Sequence, residues 1–205
     1  MNILFLILGF VLAALIFMRN KEIKKNIYKV PENALHITNV DKDGVIKLTG
    51  VGKNSEELTL KVIAKHLYQE GDFYWYELEC DKGDDDKVWI DVEDDDETNV
   101  SIVLEKLSIS DFSPNIKNIL AHHDDVETGT IGYKGRNFNY VESDSAIFYR
   151  FCEKNKPEKL YYWDYRSTNL SLSFEKWGEN EYQVFLCQNM KPSQVTVLSN
   201  GGDKR

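Results

Sequence analysis

Two groups of residues in this chain have the types and spacing that chemistry requires. The first is Trp75, Glu77, Trp89, Asp91 and Glu93, inside the stretch Glu70 to Glu97. That stretch holds fourteen acidic residues and two lysines, a local net charge of −12 against −9 for the whole chain. The acidity is therefore local. Side chains alternate across a strand, so Phe73–Cys80 places Tyr74, Tyr76 and Leu78 on one face and Trp75, Glu77 and Glu79 on the other. Lys87–Val92 divides in the same way, into Val88, Ile90 and Val92 against Trp89 and Asp91. A hairpin through the five residues 82–86 pairs Tyr76 with Val92, Leu78 with Ile90 and Glu77 with Asp91. Two carboxylates then lie side by side under two indoles. Like charges so placed repel unless they are protonated, bound to a cation or well solvated. The face is expected to be the outer one, either a wet cover for the hairpin or a binding face for a cation or cationic partner. Acid–base work of the glycosidase type is the catalytic alternative for such a pair.

The second group is His122, His123, Asp124 and Asp125, which has metal-ligand types in consecutive positions. Neighbouring histidines on a loop can chelate, but the i, i+4 spacing of a helical metal site is missing. The competing reading is a polar turn closing a helix over Ser113–Ala121, with Ser113 as N-cap and Pro114 as first helical residue. Cys80, Cys152 and Cys187 are far apart and read as reduced thiols on strands. No phosphate loop, dinucleotide fingerprint or nucleophile elbow is present, so no cofactor is expected.

Nucleic acid is excluded as a partner by the acidity and by the lack of a basic stripe in the body of the chain. The one basic cluster, Arg19, Lys21, Lys24, Lys25 and Lys29, follows an uncharged apolar run from Ile3 to Met18. Sixteen residues of helix span about 24 Å, slightly short of a ~30 Å hydrocarbon core, and snorkelling by Arg19 makes up much of the difference. A cleaved signal peptide would carry its charge before the run, and a core helix would not be followed by such a cluster. The pattern predicts a single-pass anchor at residues 3–18 in the bilayer, with the rest of the chain in the cytoplasm.

Beyond a linker at 30–34, short apolar or alternating runs separated by turn residues predict strands. They fall at Val45–Leu48, Thr59–His66, Phe73–Cys80, Lys87–Val92, Val100–Ser108, Thr130–Tyr133, Phe138–Val141, Ala146–Cys152, Leu160–Tyr165, Leu170–Trp177, Tyr182–Cys187 and Val195–Leu198. Asp41–Gly44 reads as a hairpin turn after a further strand at Leu35–Val40. Trp75 and Trp89 recur as Trp163 and Trp177 at an offset of 88 residues. The fold class is therefore mainly β: two related antiparallel lobes, barrel- or sandwich-like, at 35–111 and 128–198. A short helix and linker at 112–127 bridges them, and 199–205 is a flexible tail.

Trp75-Tyr76-Glu77-Leu78 and Val88–Asp94 resemble the signature of the bacterial domain-of-unknown-function family number 4178. Gly132-Tyr133-Lys134-Gly135, Tyr162-Trp163-Asp164-Tyr165 and Ser173–Trp177 are similar to its C-terminal half. The resemblance covers most of 35–198. It implies a β-rich domain with no assigned activity and an association with membrane-stress and polyamine-related systems. The expected function is a non-enzymatic binding or scaffolding module with a protein partner at the membrane. A metal-dependent enzyme using His122–Asp125 and a sensor of a small cation or polyamine are the alternatives.

Overall fold

The computed structural model describes residues 31, 34–83, 86–94 and 97–202. The expected membrane span, residues 3–18, lies outside the described residues, and so do residues 203–205 of the expected tail; Ser199 ends the last strand and the Gly202 N–H donates to the Lys42 carbonyl. Among the described residues no helix is long and apolar enough to cross a membrane.

Eleven strands make one antiparallel sheet among the described residues. They are β1 (Val45–Val51), β2 (Glu56–Glu70), β3 (Phe73–Asp81), β4 (Lys87–Asp94), β5 (Thr98–Leu107), β6 (Thr130–Tyr133), β7 (Arg136–Tyr149), β8 (Pro157–Ser167), β9 (Leu170–Trp177), β10 (Glu181–Met190) and β11 (Val195–Ser199). Among the described residues one α-helix is present, α1 (Ile116–Val126), between β5 and β6. β1 to β5 pair consecutively as one meander and β6 to β10 as another. β5 pairs with β10, which joins the two meanders along one edge.

The second junction depends on the length of β2. Its 15 residues are too many for one neighbour on each side. On one edge β3 takes Lys61 to Glu70; on the other, β1 takes Glu56 to Lys61 and β7 takes Leu67 to Gln69. A register shift between Val62 and Ala64 bends the strand between these two engagements, as a bulge does. The β2–β7 pairing closes a ring of eight strands, in the order β2-β3-β4-β5-β10-β9-β8-β7.

Alternation divides the side chains of this ring into two sets. Leu48, Leu60, Leu78, Ile90 and Ile102 form one wholly buried cluster on the outer face, where β1 and β11 continue the sheet. Phe138, Trp163, Tyr165, Leu172 and Phe174 form another, covered by Ile116 and Leu120 of α1. The inward set is smaller and aromatic: Tyr68, Ala146, Phe148 and Leu160, with Trp75, Tyr162 and Trp177 packed against them.

Several expectations are corrected. The stretches 35–111 and 128–198 are not separate lobes, because Leu35 onward is one compact unit with a continuous sheet. The offset of 88 relates like faces for only one tryptophan pair: Trp89 and Trp177 both line the interior. Trp75 stacks on Tyr68 inside the ring, whereas Trp163 belongs to the outer cluster under α1. Leu35–Val40 contains a 3₁₀ turn at Ile37–Asn39, whose Ile37 and Val40 enter the outer core. Phe138–Val141 and Ala146–Cys152 are parts of the single strand β7, which ends at Tyr149. The helix starts at Ile116, not at Pro114, and continues through the histidines to Val126. Nothing stops it earlier: no glycine or proline occurs from Asn115 to Thr128, and Glu127 supplies the left-handed cap. Leu120→Ala should cost about 2–5 kcal/mol, read as a lower urea midpoint with an unchanged m-value, because Leu120 is the buried contact between helix and sheet.

Candidate functional site

The hairpin of β3 and β4 has the register that alternation predicts: Tyr76 opposite Val92, Leu78 opposite Ile90, and Glu77 opposite Asp91. Trp75 stands across from Glu93, and Glu79 across from Trp89. The direction of the face is the correction. Leu78 and Ile90 point out into the β1/β11 cluster, and the tryptophan–carboxylate face points into the ring. It faces inward because the ring closes, a long-range event that the hairpin's own residues do not encode.

A cavity of about 360 Å³ occupies one end of the ring interior. Every strand of the ring contributes to its wall: His66 and Tyr68 from β2, Glu77 and Glu79 from β3, Trp89 from β4, Lys106 from β5, Phe148 from β7, Glu158 from β8, Glu175 and Trp177 from β9, and Phe185 from β10. The wall has five carboxylates, those named and Glu181, against two permanent cations, Lys106 and Arg150. Both cations are engaged. Lys106 Nζ donates to Gln183 at 2.8 Å, and Arg150 Nε lies 3.5 Å from Glu158.

Glu77 and Glu175 line the cavity, Asp91 stands opposite Glu77, and Asp164 is a further buried acid near Glu175. Burial, then the charges of Asp91 and Glu175, push the Glu77 carboxyl well above the ordinary glutamate range. Asp91 is pushed up by burial as well, against the hydroxyl of Ser101, which donates to Oδ2 at 3.2 Å. Asp164 is pushed up to about 7, chiefly by burial, with Ser173 opposing and Glu142, Glu93 and Asp91 adding to the shift. Its Oδ1 is buried without a hydrogen-bond partner. Glu175 is pushed up to about 8 by burial, although the Trp177 indole N–H donates to it at 2.8 Å. These four side chains retain some accessibility, but only toward the enclosed interior, where protein surrounds them. Desolvation therefore dominates.

Glu79 behaves differently. Burial pushes it up, but Lys87 at 2.6 Å and His66 at 3.6 Å more than offset this and hold it below the usual range. His66 is 3% exposed, and burial lowers its pKa. Its Nδ1 accepts the Phe151 N–H at 3.0 Å, so the ring hydrogen sits on Nε2, toward Glu79. Phe151 and Cys152 adopt left-handed backbone angles, φ +55° and +59°, which brings that N–H onto the histidine.

Of the residues expected to form the binding face, Glu77 and Trp89 line the cavity and Asp91 stands opposite Glu77 without lining it. Trp75 packs on Tyr68 and Tyr162 further along the interior, and Glu93 stands beside it. Asp164, Glu175, Trp177 and His66 were not anticipated. The signal was available: alternation in Tyr162-Trp163-Asp164 and in Ser173–Trp177 places Asp164 on one face of β8, and Glu175 with Trp177 on one face of β9.

The group His122, His123, Asp124 and Asp125 lies within α1, not on a turn. Asp124 accepts hydrogen bonds from Ser143 and from the Tyr161 hydroxyl, and His123 Nδ1 lies 3.1 Å from the Tyr165 hydroxyl. These two residues fasten the helix to the sheet. Among the described residues no group of three or more His, Cys, Asp or Glu side chains converges as a metal site. The acidic runs 84–85 and 95–96 lie outside the described residues.

The family model described as Domain of unknown function (DUF4178) matches residues 56–192, which spans the ring from β2 to β10. Neither the curated proteins nor the solved structures contain a match.

The raised carboxyls set a pH dependence. In the unfolded chain they ionise near pH 4; in the fold Asp164 and Glu175 keep their protons to about 7 and about 8. Between those limits the unfolded chain releases protons that the folded chain retains, so stability falls as pH rises. The melting temperature should decline from about pH 5 to about pH 8 by scanning calorimetry. Asp164→Asn should flatten that decline and melt higher than the parent at the upper end. A parent profile that rises over this interval would contradict the buried carboxylate group.

Proposed function

Because the chain belongs to the family described as Domain of unknown function (DUF4178), and no activity comes with that membership, we propose from its cavity that it is a non-enzymatic binding domain for a small organic cation. One observation supports this reading: the eight strands enclose a cavity whose wall has five carboxylates against two cations, Arg150 beside Glu158 and Lys106 donating to the Gln183 amide. Between the carboxylates stand Trp89, Trp177, Phe148 and Phe185, whose ring faces attract cations and whose bulk covers alkyl carbon. With its carboxyls ionised, the wall carries five negative charges against two positive ones, which favours a cation over an anion. At about 360 Å³ the space is at the small end of ligand pockets, which favours a metabolite over a peptide.

A linear amine such as spermidine combines both features, ammonium groups joined by short alkyl spacers, and fits a polyamine-related role. Titrating the full-length chain in non-ionic detergent with spermidine should change the tryptophan fluorescence saturably, through Trp89 and Trp177. Glu77→Gln with Glu175→Gln should weaken the interaction tenfold or more, the effect of roughly 1.5–3 kcal/mol for a lost charge-assisted contact. If saturating amine leaves both fluorescence and heat unchanged, the cavity does not take this class of ligand.

The apolar run at residues 3–18 and the basic cluster after it support the second half of the reading. The domain is held on the cytoplasmic face of the bacterial inner membrane, within reach of a protein partner there. Removing residues 3–18 should transfer the chain from the membrane fraction to the soluble fraction. A deletion variant that stays with the membranes would end the anchor assignment.

A further inference from the structure

The centre of the ring has a charge problem that its own residues do not solve. Glu77 and Asp91 are directly opposed across the hairpin. Asp164 on β8 faces Ser173 on β9, and Tyr162 faces Glu175. Among the described residues, none of these four carboxylates is paired with a lysine or arginine. The hydrogen bonds they receive come from neutral groups: Ser101 for Asp91, Ser173 for Asp164 and the Trp177 indole for Glu175. Asp164 Oδ1 receives none. Enclosed carboxylates without a counter-cation cannot all be ionised, so the empty site holds protons in place of cations.

The groups facing Glu77 and Glu175 from each packed element bear this out. The anionic neighbours are Glu79 on β3, Asp91 on β4, Asp164 on β8 and Glu181 on β10. The cationic ones are Lys106 on β5, which lowers Glu175, and Arg150 after β7, which lowers Glu77; neither effect outweighs burial. Glu158 on β8, also in the wall, is paired with Arg150. Tyr68 and the Cys187 thiol are pushed up by burial, and His66 is pushed down by it.

Building on the cation-binding reading above, we propose that the cavity is a proton-for-cation exchanger: an organic ammonium enters as Glu77 and Glu175 give up their protons. In each exchange the O–H bond of a carboxylic acid breaks and the proton leaves through the mouth to bulk water. The carboxylate left behind accepts an N–H from the ammonium, and no electrons are transferred. Glu77 and Glu175 both line the cavity, so a ligand inside it can reach either carboxyl. Asp91, opposite Glu77, and Asp164 are outside the lining and hold further protons. Occupancy thereby depends on pH, and the sign is fixed: protons compete with the cation, so acidification empties the site.

The test is calorimetric titration of the full-length chain in non-ionic detergent with spermidine, in two buffers of the same pH and different ionisation enthalpy. Between about pH 6 and about pH 7.5 the amine stays fully protonated and contributes no protons of its own. The expected result is a heat that differs between the buffers by the equivalent of about one proton or more released per amine bound. The apparent affinity should then rise by up to tenfold per pH unit for each proton exchanged. The Glu77→Gln, Glu175→Gln double variant should bind more weakly and release fewer protons. Binding with the same heat in both buffers would overturn the exchange and leave the cation site standing. Proton release that persists undiminished in the double variant would overturn the assignment to Glu77 and Glu175. Complete absence of binding would remove the cation site and the exchange with it.

Discussion

The pairing of β2 with β7 is the contact on which the rest of the structure depends. It consists of three residue pairs, Leu67 with Tyr149, Tyr68 with Phe148 and Gln69 with Ile147. It turns an open eleven-stranded sheet into a closed ring. Without it the tryptophan–carboxylate face of β3 and β4 would be bathed in water, and Glu77 and Asp91 would be ordinary surface acids. With it, that face becomes the wall of an enclosed space. The interaction is reinforced at the point of closure, where Tyr68 packs on Phe148 and stacks on Trp75, with ring centroids 4.9 and 5.0 Å apart. Just beyond it, the left-handed pair Phe151 and Cys152 ties the end of β7 to His66 of β2. The strain of two non-glycine residues in that conformation is sustained by these contacts.

Closure also explains where the stability and the function of the domain conflict. The outer clusters are conventional: aliphatic side chains on one side, aromatics under a helix on the other. The interior mixes a partial aromatic core with carboxylates that receive few hydrogen bonds. A core designed only for stability would hold leucines at Glu77, Asp91, Asp164 and Glu175, since burying an ionisable group without a partner is costly. The domain tolerates these groups because they can take up protons and because two apolar clusters outside the ring supply the hydrophobic burial. Perturbed acids gathered around a cavity make it a candidate functional site on physical grounds.

The helix is ancillary to that site. His123 and Asp124 spend their polar atoms on Tyr165, Ser143 and Tyr161, while Ile116 and Leu120 supply the apolar contact. The residues with the most chemically suggestive types in the sequence are thus fasteners. The chemically consequential ones are glutamates and aspartates that look, in the linear chain, like solubilising charge.

Local order was legible in the sequence. Alternation located the strands of the ring and set the register of the β3–β4 hairpin down to Glu77 opposite Asp91, because side-chain parity and a five-residue connection leave one register that matches like faces. The same parity, applied to β8 and β9, already contained Asp164 and Glu175. What the sequence could not decide was which face of each strand would be inside. A strand with an apolar face and a tryptophan–carboxylate face is consistent with either side being enclosed. The choice was made by contacts distant in the chain: Leu67 to Tyr149 closing the ring, and β1 with β11 covering Leu78 and Ile90 from outside. Hydropathy assigns the more apolar face to the interior, and here both faces are interior. Only the tertiary structure separated an apolar core from a charged cavity, because that distinction depends on which surfaces close over which, and no local pattern encodes it.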